Sequence, residues 1–111
     1  MKAMKMFLTE YESRTIPEEN VDGYLFDSLA DLTDAHKLMV GFDNFYYSEK
    51  PDWIDLYTFG LDAIALVSVI NHCSMQGCNL VICHCDRERG MYLKQRFVMS
   101  PPRPCCGCLR D

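Results

Sequence analysis

The stretch from Leu61 to Cys85 constrains this chain more than any other. Residues 61–76 carry apolar side chains nearly all the way round between Leu61 and Ile70, and then meet Gly77. Glycine enters the left-handed conformation that closes a helix without strain, so the pattern predicts a helix over 61–76. Residues 79–85 (NLVICHC) follow at once; they are too few for a helix and apolar on both faces, as an interior strand is. A helix without a polar side and a strand without a polar face must bury one another. The strand is expected to lie inside a sheet, with Leu80, Val81, Ile82 and Cys83 buried and Ile64, Val67 and Ile70 of the helix packed on it.

The remaining elements are read around that core. Residues 4–11 (MKMFLTEY) form a short bulky strand. Thr15-Ile16-Pro17-Glu18 matches a capping box, with Pro17 in the first turn, and Val21, Leu25, Leu29 and Leu32 follow at helical spacing. The pattern predicts a helix over 16–32. Residues 37–47 (KLMVGFDNFYY) read as an aromatic strand with Gly41 at a bulge. Residues 53–59 alternate, and either pair with it as a hairpin across a turn at 48–52 or open the next helix. After the polar turn at 86–90, residues 91–99 form a final strand. The order is β-α-β-(β)-α-β-β. The fold class is α+β, a two-layer sandwich whose mixed four- to five-stranded sheet carries two helices on one face. Residues 1–100 make one domain, and residues 101–111 (PPRPCCGCLRD) a Pro/Cys-rich tail.

Charge divides the chain. Residues 1–62 hold 13 Asp/Glu against 5 Lys/Arg, a net of −8, whereas residues 63–111 hold 3 against 6, a net of +3. An acidic chain of this kind repels nucleic acid over most of its surface. No stretch approaches the roughly 20 apolar residues that span a bilayer. The opening MKAMKMFLTEY has no apolar region of signal-peptide length, so a cytoplasmic location is expected. Seven cysteines, an odd number without a secretion signal, then argue for free thiols or a metal over disulfides.

Cys105-x-x-Cys108 has the spacing of half a zinc knuckle, because two thiolates three residues apart can share one tetrahedral ion. Cys73 and Cys78, or His72, His84 and Cys85, would have to complete it, and none supplies a second Cys-x-x-Cys. Incidental thiols in a tail are the blander account. His84 lies between Cys83 and Cys85, but neighbours on a strand point to opposite faces, so a Cys/His nucleophile pair is not expected there. No phosphate loop, nucleophile elbow or HExxH is present.

The acidic residues Glu18, Glu19, Asp22, Asp27 and Asp31 read as a solvated face or as a docking surface. Tyr46, Tyr47 and Trp53 stand nearby in sequence, as core packing or as anchors. On this reading the chain is a non-catalytic binding protein whose acidic surface meets a basic protein partner, with no cofactor. The alternative is a small zinc- or thiol-dependent protein using Cys105 and Cys108.

The segment Gln76-Gly77-Cys78-Asn79-Leu80-Val81-Ile82-Cys83-His84-Cys85-Asp86 resembles an uncharacterised family of short proteins carried on bacterial plasmids and prophages. These also place a Gly-Cys at the end of an amphipathic helix before an apolar strand ending in an acid. The resemblance extends to the element order from Met6 to Val98. It does not include the Cys-rich tail, and the turn after Asp86 is basic where the family has small residues. What it implies is a mobile-element accessory protein, of a kind that often inhibits or modulates host machinery; with the net charge of −8 over residues 1–62, an inhibitor of a nucleic-acid-handling defence system would fit.

Overall fold

The computed structural model describes residues 1–27, 34–59 and 63–98. Eight elements follow in order: β1 (Ala3–Thr9), α1 (Glu10–Thr15), β2 (Gly23–Phe26), α2 (Ala35–Glu49), β3 (Trp53–Thr58), α3 (Ala63–Gln76), β4 (Asn79–Asp86) and β5 (Met91–Phe97). The α+β class is as expected: one five-stranded mixed sheet in the order β2-β1-β3-β4-β5. β2, β1, β3 and β4 run parallel, and β5 returns antiparallel to β4.

α2 and α3 share one face. Their Leu38, Phe42, Ala65, Leu66, Val69 and Cys73 close over Met6, Leu8, Ile54, Leu56, Leu80 and Ile82 of the sheet. On the other face Ile16 and Val21, in the extended chain after α1, pack against Phe7, Tyr57, Val81 and Cys83. The β1-to-β2 crossover moves outward one way under one face, and the next two crossovers move the other way over the opposite face. One hand of connection requires that arrangement.

Two expected elements are corrected. Residues 16–22 are not a helix; β2 occupies 23–26, and residues 28–32 of the expected helix lie outside the described residues. The T-x-x-E pattern occurs twice, and the one that starts a helix is Thr9–Glu12, where Glu12 Oε1 accepts from the Thr9 backbone N–H at 3.1 Å and from its hydroxyl at 2.7 Å. Thr15 instead ends α1, its hydroxyl donating to the Tyr11 carbonyl at 2.8 Å. The chain after it must return across the sheet before β2 can run parallel to β1, so Pro17 and Val21 stay extended.

Residues 37–47, expected as a strand, lie inside α2. Asp34 caps this helix, accepting from His36 and Lys37 N–H at 2.9 and 3.2 Å. Leu38, Phe42, Phe45 and Tyr46 make its inner stripe. Gly41 is no bulge: a Cβ there would meet the Phe26 ring at 3.1 Å, so glycine lets α2 approach β2 closely. The element order is therefore β-α-β-α-β-α-β-β, and the 53–59 strand pairs with β1 and β4 rather than with 37–47.

The core strand is as expected. β4 lies between β3 and β5, and Leu80, Val81, Ile82 and Cys83 are all buried. Gly77 (φ 70°) closes α3, with Cys78 N–H donating to the Cys73 carbonyl at 2.9 Å and Gly77 N–H to Ser74 at 3.4 Å. The helix face was read wrongly in part. Ile64 and Val67 are 68% and 54% exposed, while Ala65, Leu66, Val69 and Cys73 face the sheet and Ile70 packs at its margin. A helix apolar all round gives no stripe to choose by, and the small Ala65 and Cys73 allow the closest approach. Among the described residues no helix is long and apolar enough to cross a membrane.

Candidate functional site

In an open parallel sheet, ligands sit beyond the carboxyl ends of the strands, where neighbouring crossovers diverge. Here β1 leads toward β2 and β3 leads toward β4, so the divergence lies between β1 and β3. A crevice of about 680 Å³ opens at this end of the sheet, on the face that α2 and α3 do not cover. Tyr11 and Thr15 of α1, Pro17 and Glu18 of the returning chain, Phe59 after β3, and the tip of the β4–β5 hairpin line it.

Glu12, which does not itself line the crevice, ties the strand ends beside it together. Its carboxylate is 4% exposed and bridges the two diverging strands: Oε1 accepts from Thr9, and Oε2 accepts the Phe59 N–H at 3.1 Å. The donors that a nucleotide phosphate would seek at this junction are thus taken by the chain's own carboxylate, and Glu10 adds a second acid to the first turn. A phosphate does not suit this junction.

The wall is aromatic and carries one uncommitted cation. The Arg87 guanidinium stacks 3.9 Å from the Phe59 ring centroid and donates to the Tyr11 hydroxyl at 3.0 Å. No carboxylate pairs with it among the described residues. The other ionised groups are engaged. Glu18 meets Lys5 Nζ at 3.2 Å and is hydrogen-bonded by Tyr92. Asp86 accepts the Glu88 and Arg89 N–H groups of the hairpin turn at 3.1 and 3.2 Å. A smaller hollow of about 260 Å³ shares Tyr11, Phe59, Cys85 and Arg87 with the crevice.

Two phenols, Tyr92 in the wall and Tyr57 behind it, are held protonated. Burial, then Glu18, pushes Tyr92 well above its ordinary value. Tyr57, which meets Tyr92 edge-on at 5.3 Å, is pushed up to about 12, by burial first and then by Cys83, Glu18 and Asp55. The folded state keeps a proton that the unfolded chain gives up near pH 10. Stability is therefore complete below pH 10 and falls as pH rises from 10 toward 12. Denaturation across that window is expected to show the fall, and Tyr57→Phe to make it shallower; an equally steep fall in the variant refutes this origin.

The thiols divide by burial. Cys73, Cys78 and Cys83 are buried, and Cys85 is half-buried at the crevice. Cys73 is held protonated by its hydrogen bond with Cys78 and by burial. Brief alkylation read peptide by peptide is expected to modify Cys85 at least about tenfold faster than these three, since access limits the rate; Cys78, whose pKa is lowered by its hydrogen bond with Cys73, is held back by burial alone. Equal rates at Cys83 and Cys85 would contradict the placement.

The residues singled out from sequence do not form one surface. Glu18 lines the crevice and Glu19 is exposed beside it, while Asp22 accepts the Lys5 N–H at 2.9 Å. Asp27 is exposed at the end of β2, beside the start of α2. Tyr46 stacks on Phe42 and Tyr47 is exposed, both on α2, whereas Trp53 lies on the opposite face and donates Nε1–H to Asp55 at 2.9 Å. Other acids cap or tether: Asp34 caps α2, Glu49 and Asp52 hold Lys2, and Asp43 faces His72 at 3.8 Å. Much of the front half's acidity serves the fold.

Asp31, Cys105 and Cys108 lie outside the described residues. Cys73 and Cys78 do come together, but among the described residues no three His, Cys, Asp or Glu side chains meet as a metal site requires. His84 points away from Cys83 and Cys85, as expected, with Nε2 3.4 Å from Gln95 Oε1. Tyr11, Phe59, Arg87 and Tyr92 were not foreseen as site residues. The signal that marks three of them is position, at or just beyond the carboxyl ends of β1, β3 and β4, and it appears only once the strands are known to be parallel. Comparison with protein-family models, curated proteins and solved structures finds no match for this chain.

Proposed function

We propose that this is a non-catalytic binding protein that holds a small planar anion, an aromatic carboxylate in chemical class, in the crevice beyond β1, β3 and β4. The observation that carries the reading is Arg87: a guanidinium on an aromatic wall, without a carboxylate partner among the described residues, inside a hollow of about 680 Å³. That volume falls within the roughly 300–1,000 Å³ of small-molecule sites. A flat ring has Phe59, Tyr11 and Tyr92 to lie against, and a carboxylate finds a fork of donors in the guanidinium. The acids in the crevice already have partners, which leaves the cation to set the ligand's sign.

Ligand-observed NMR with benzoate-type carboxylates, each beside its neutral amide, tests this. The carboxylates are expected to bind at least about tenfold more tightly than the amides, and Arg87→Ala to remove that preference, as loss of a charge-assisted hydrogen bond would. A bound carboxylate is also expected to slow alkylation of Cys85. Failure of every carboxylate to bind, or binding indifferent to Arg87, overturns the reading.

A further inference from the structure

The sheet has two edges. β2 offers four residues and is flanked by α2; β5 offers seven, in unbroken register with β4 from Met91↔Asp86 to Phe97↔Leu80. Its outer row of N–H and C=O groups has no strand beside it among the described residues. Neither proline nor a bulge interrupts it; of the devices that blunt an edge it carries only charge, at Lys94 and Arg96, which deters a like or neutral strand but not an acidic one.

Its side chains are sorted by face. On the face of α2 and α3, Met91 and Leu93 remain 47% and 49% exposed. On the other face Lys94 and Arg96 project beside Cys83 and Val81, with no carboxylate partner among the described residues; Arg96 lies 5.6 Å from the Trp53 ring. The free edge thus carries apolar side chains on one face and two cations on the other.

We propose that β5 accepts an acidic extended segment of a partner protein as a sixth strand. Main-chain bonds to the open row would supply affinity. Alternation would select the partner, placing its acids beside Lys94 and Arg96 and its apolar residues beside Leu93. A second copy of the chain suits the edge less well: pairing β5 antiparallel with itself about Lys94 opposes two lysines, and about Gln95 it opposes Lys94 with Arg96.

A fluorescent peptide alternating leucine and glutamate, with its leucine–lysine counterpart, tests the proposal on the whole chain. The glutamate peptide is expected to bind, to perturb β5 amides in NMR spectra, and to weaken as salt rises. Lys94→Glu with Arg96→Glu, both at exposed positions, is expected to weaken it at least tenfold and to favour the lysine peptide. Arg87→Ala is expected to leave it unchanged, which separates the edge from the crevice. No binding, binding untouched by charge reversal, amide shifts away from β5, or association of the chain with itself through β5 would each overturn the proposal.

Discussion

Replacing Ile82 with alanine is expected to lower the unfolding free energy by about 2–5 kcal/mol. Ile82 is 1% exposed in the middle of β4, between Leu56 of β3 and Gln95 of β5, in the apolar layer under α3. Alanine would remove apolar contact and leave a cavity that β4, hydrogen-bonded to a strand on each side, closes only poorly. A domain this size has about 5–15 kcal/mol in all, so the loss is a large share. Leu93→Ala, on the same face of the adjacent strand but half exposed, is expected to cost under about 1 kcal/mol, because little area leaves water there. Urea unfolding of the two variants checks both, and an Ile82→Ala protein as stable as the parent would show the core to lie elsewhere.

The second large effect is expected at Glu12. Removing its carboxylate with alanine leaves the Thr9 and Phe59 N–H groups without their acceptor at a buried junction, at a cost of about 2–4 kcal/mol. Glutamine keeps one carbonyl oxygen and is expected to lose less than half of that. The two variants separate hydrogen bonding from shape. Faster amide exchange at Phe59 in the alanine variant, alongside lower stability, is the expected signature. Stability within about 0.5 kcal/mol of the parent would mean that the bridge between β1 and β3 is incidental.

How far the fold was legible depended on which element carried its own signal. The Gly77 stop, the unbroken apolar run of β4 and the polar turn into β5 are local features, and each placed its element within a residue or two. Residues 35–49 misled because Phe42, Phe45, Tyr46 and Tyr47 favour strands by type while their spacing is helical; the cap at Asp34 was the stronger evidence. Residues 16–27 misled for the opposite reason. A helical stripe beginning at Val21 was present, but over residues 23–26 the need for β2 to return alongside β1 overrode it, and that need is set by residues seventeen positions away. The crevice was illegible for the same cause. Its residues come from α1, the loop after β3 and a hairpin tip, and no local pattern joins them until strand direction is known.

The place of β1 has a bearing on how the chain is made. β1 is the strand between β2 and β3, yet it precedes both, and its partner β3 begins at Trp53. At synthesis rates of roughly 5–20 residues per second, β1 waits on the order of 2–10 seconds for that partner to emerge. Until β2 emerges, Met4, Met6, Phe7 and Leu8 are an apolar strand open on both sides, and from then until β3 emerges they remain open on the β3 side. The stage at which aggregation most threatens this chain therefore falls before Trp53 has emerged. Lys2 and Lys5, which flank the apolar residues in β1's sequence, are the charges available to guard it then.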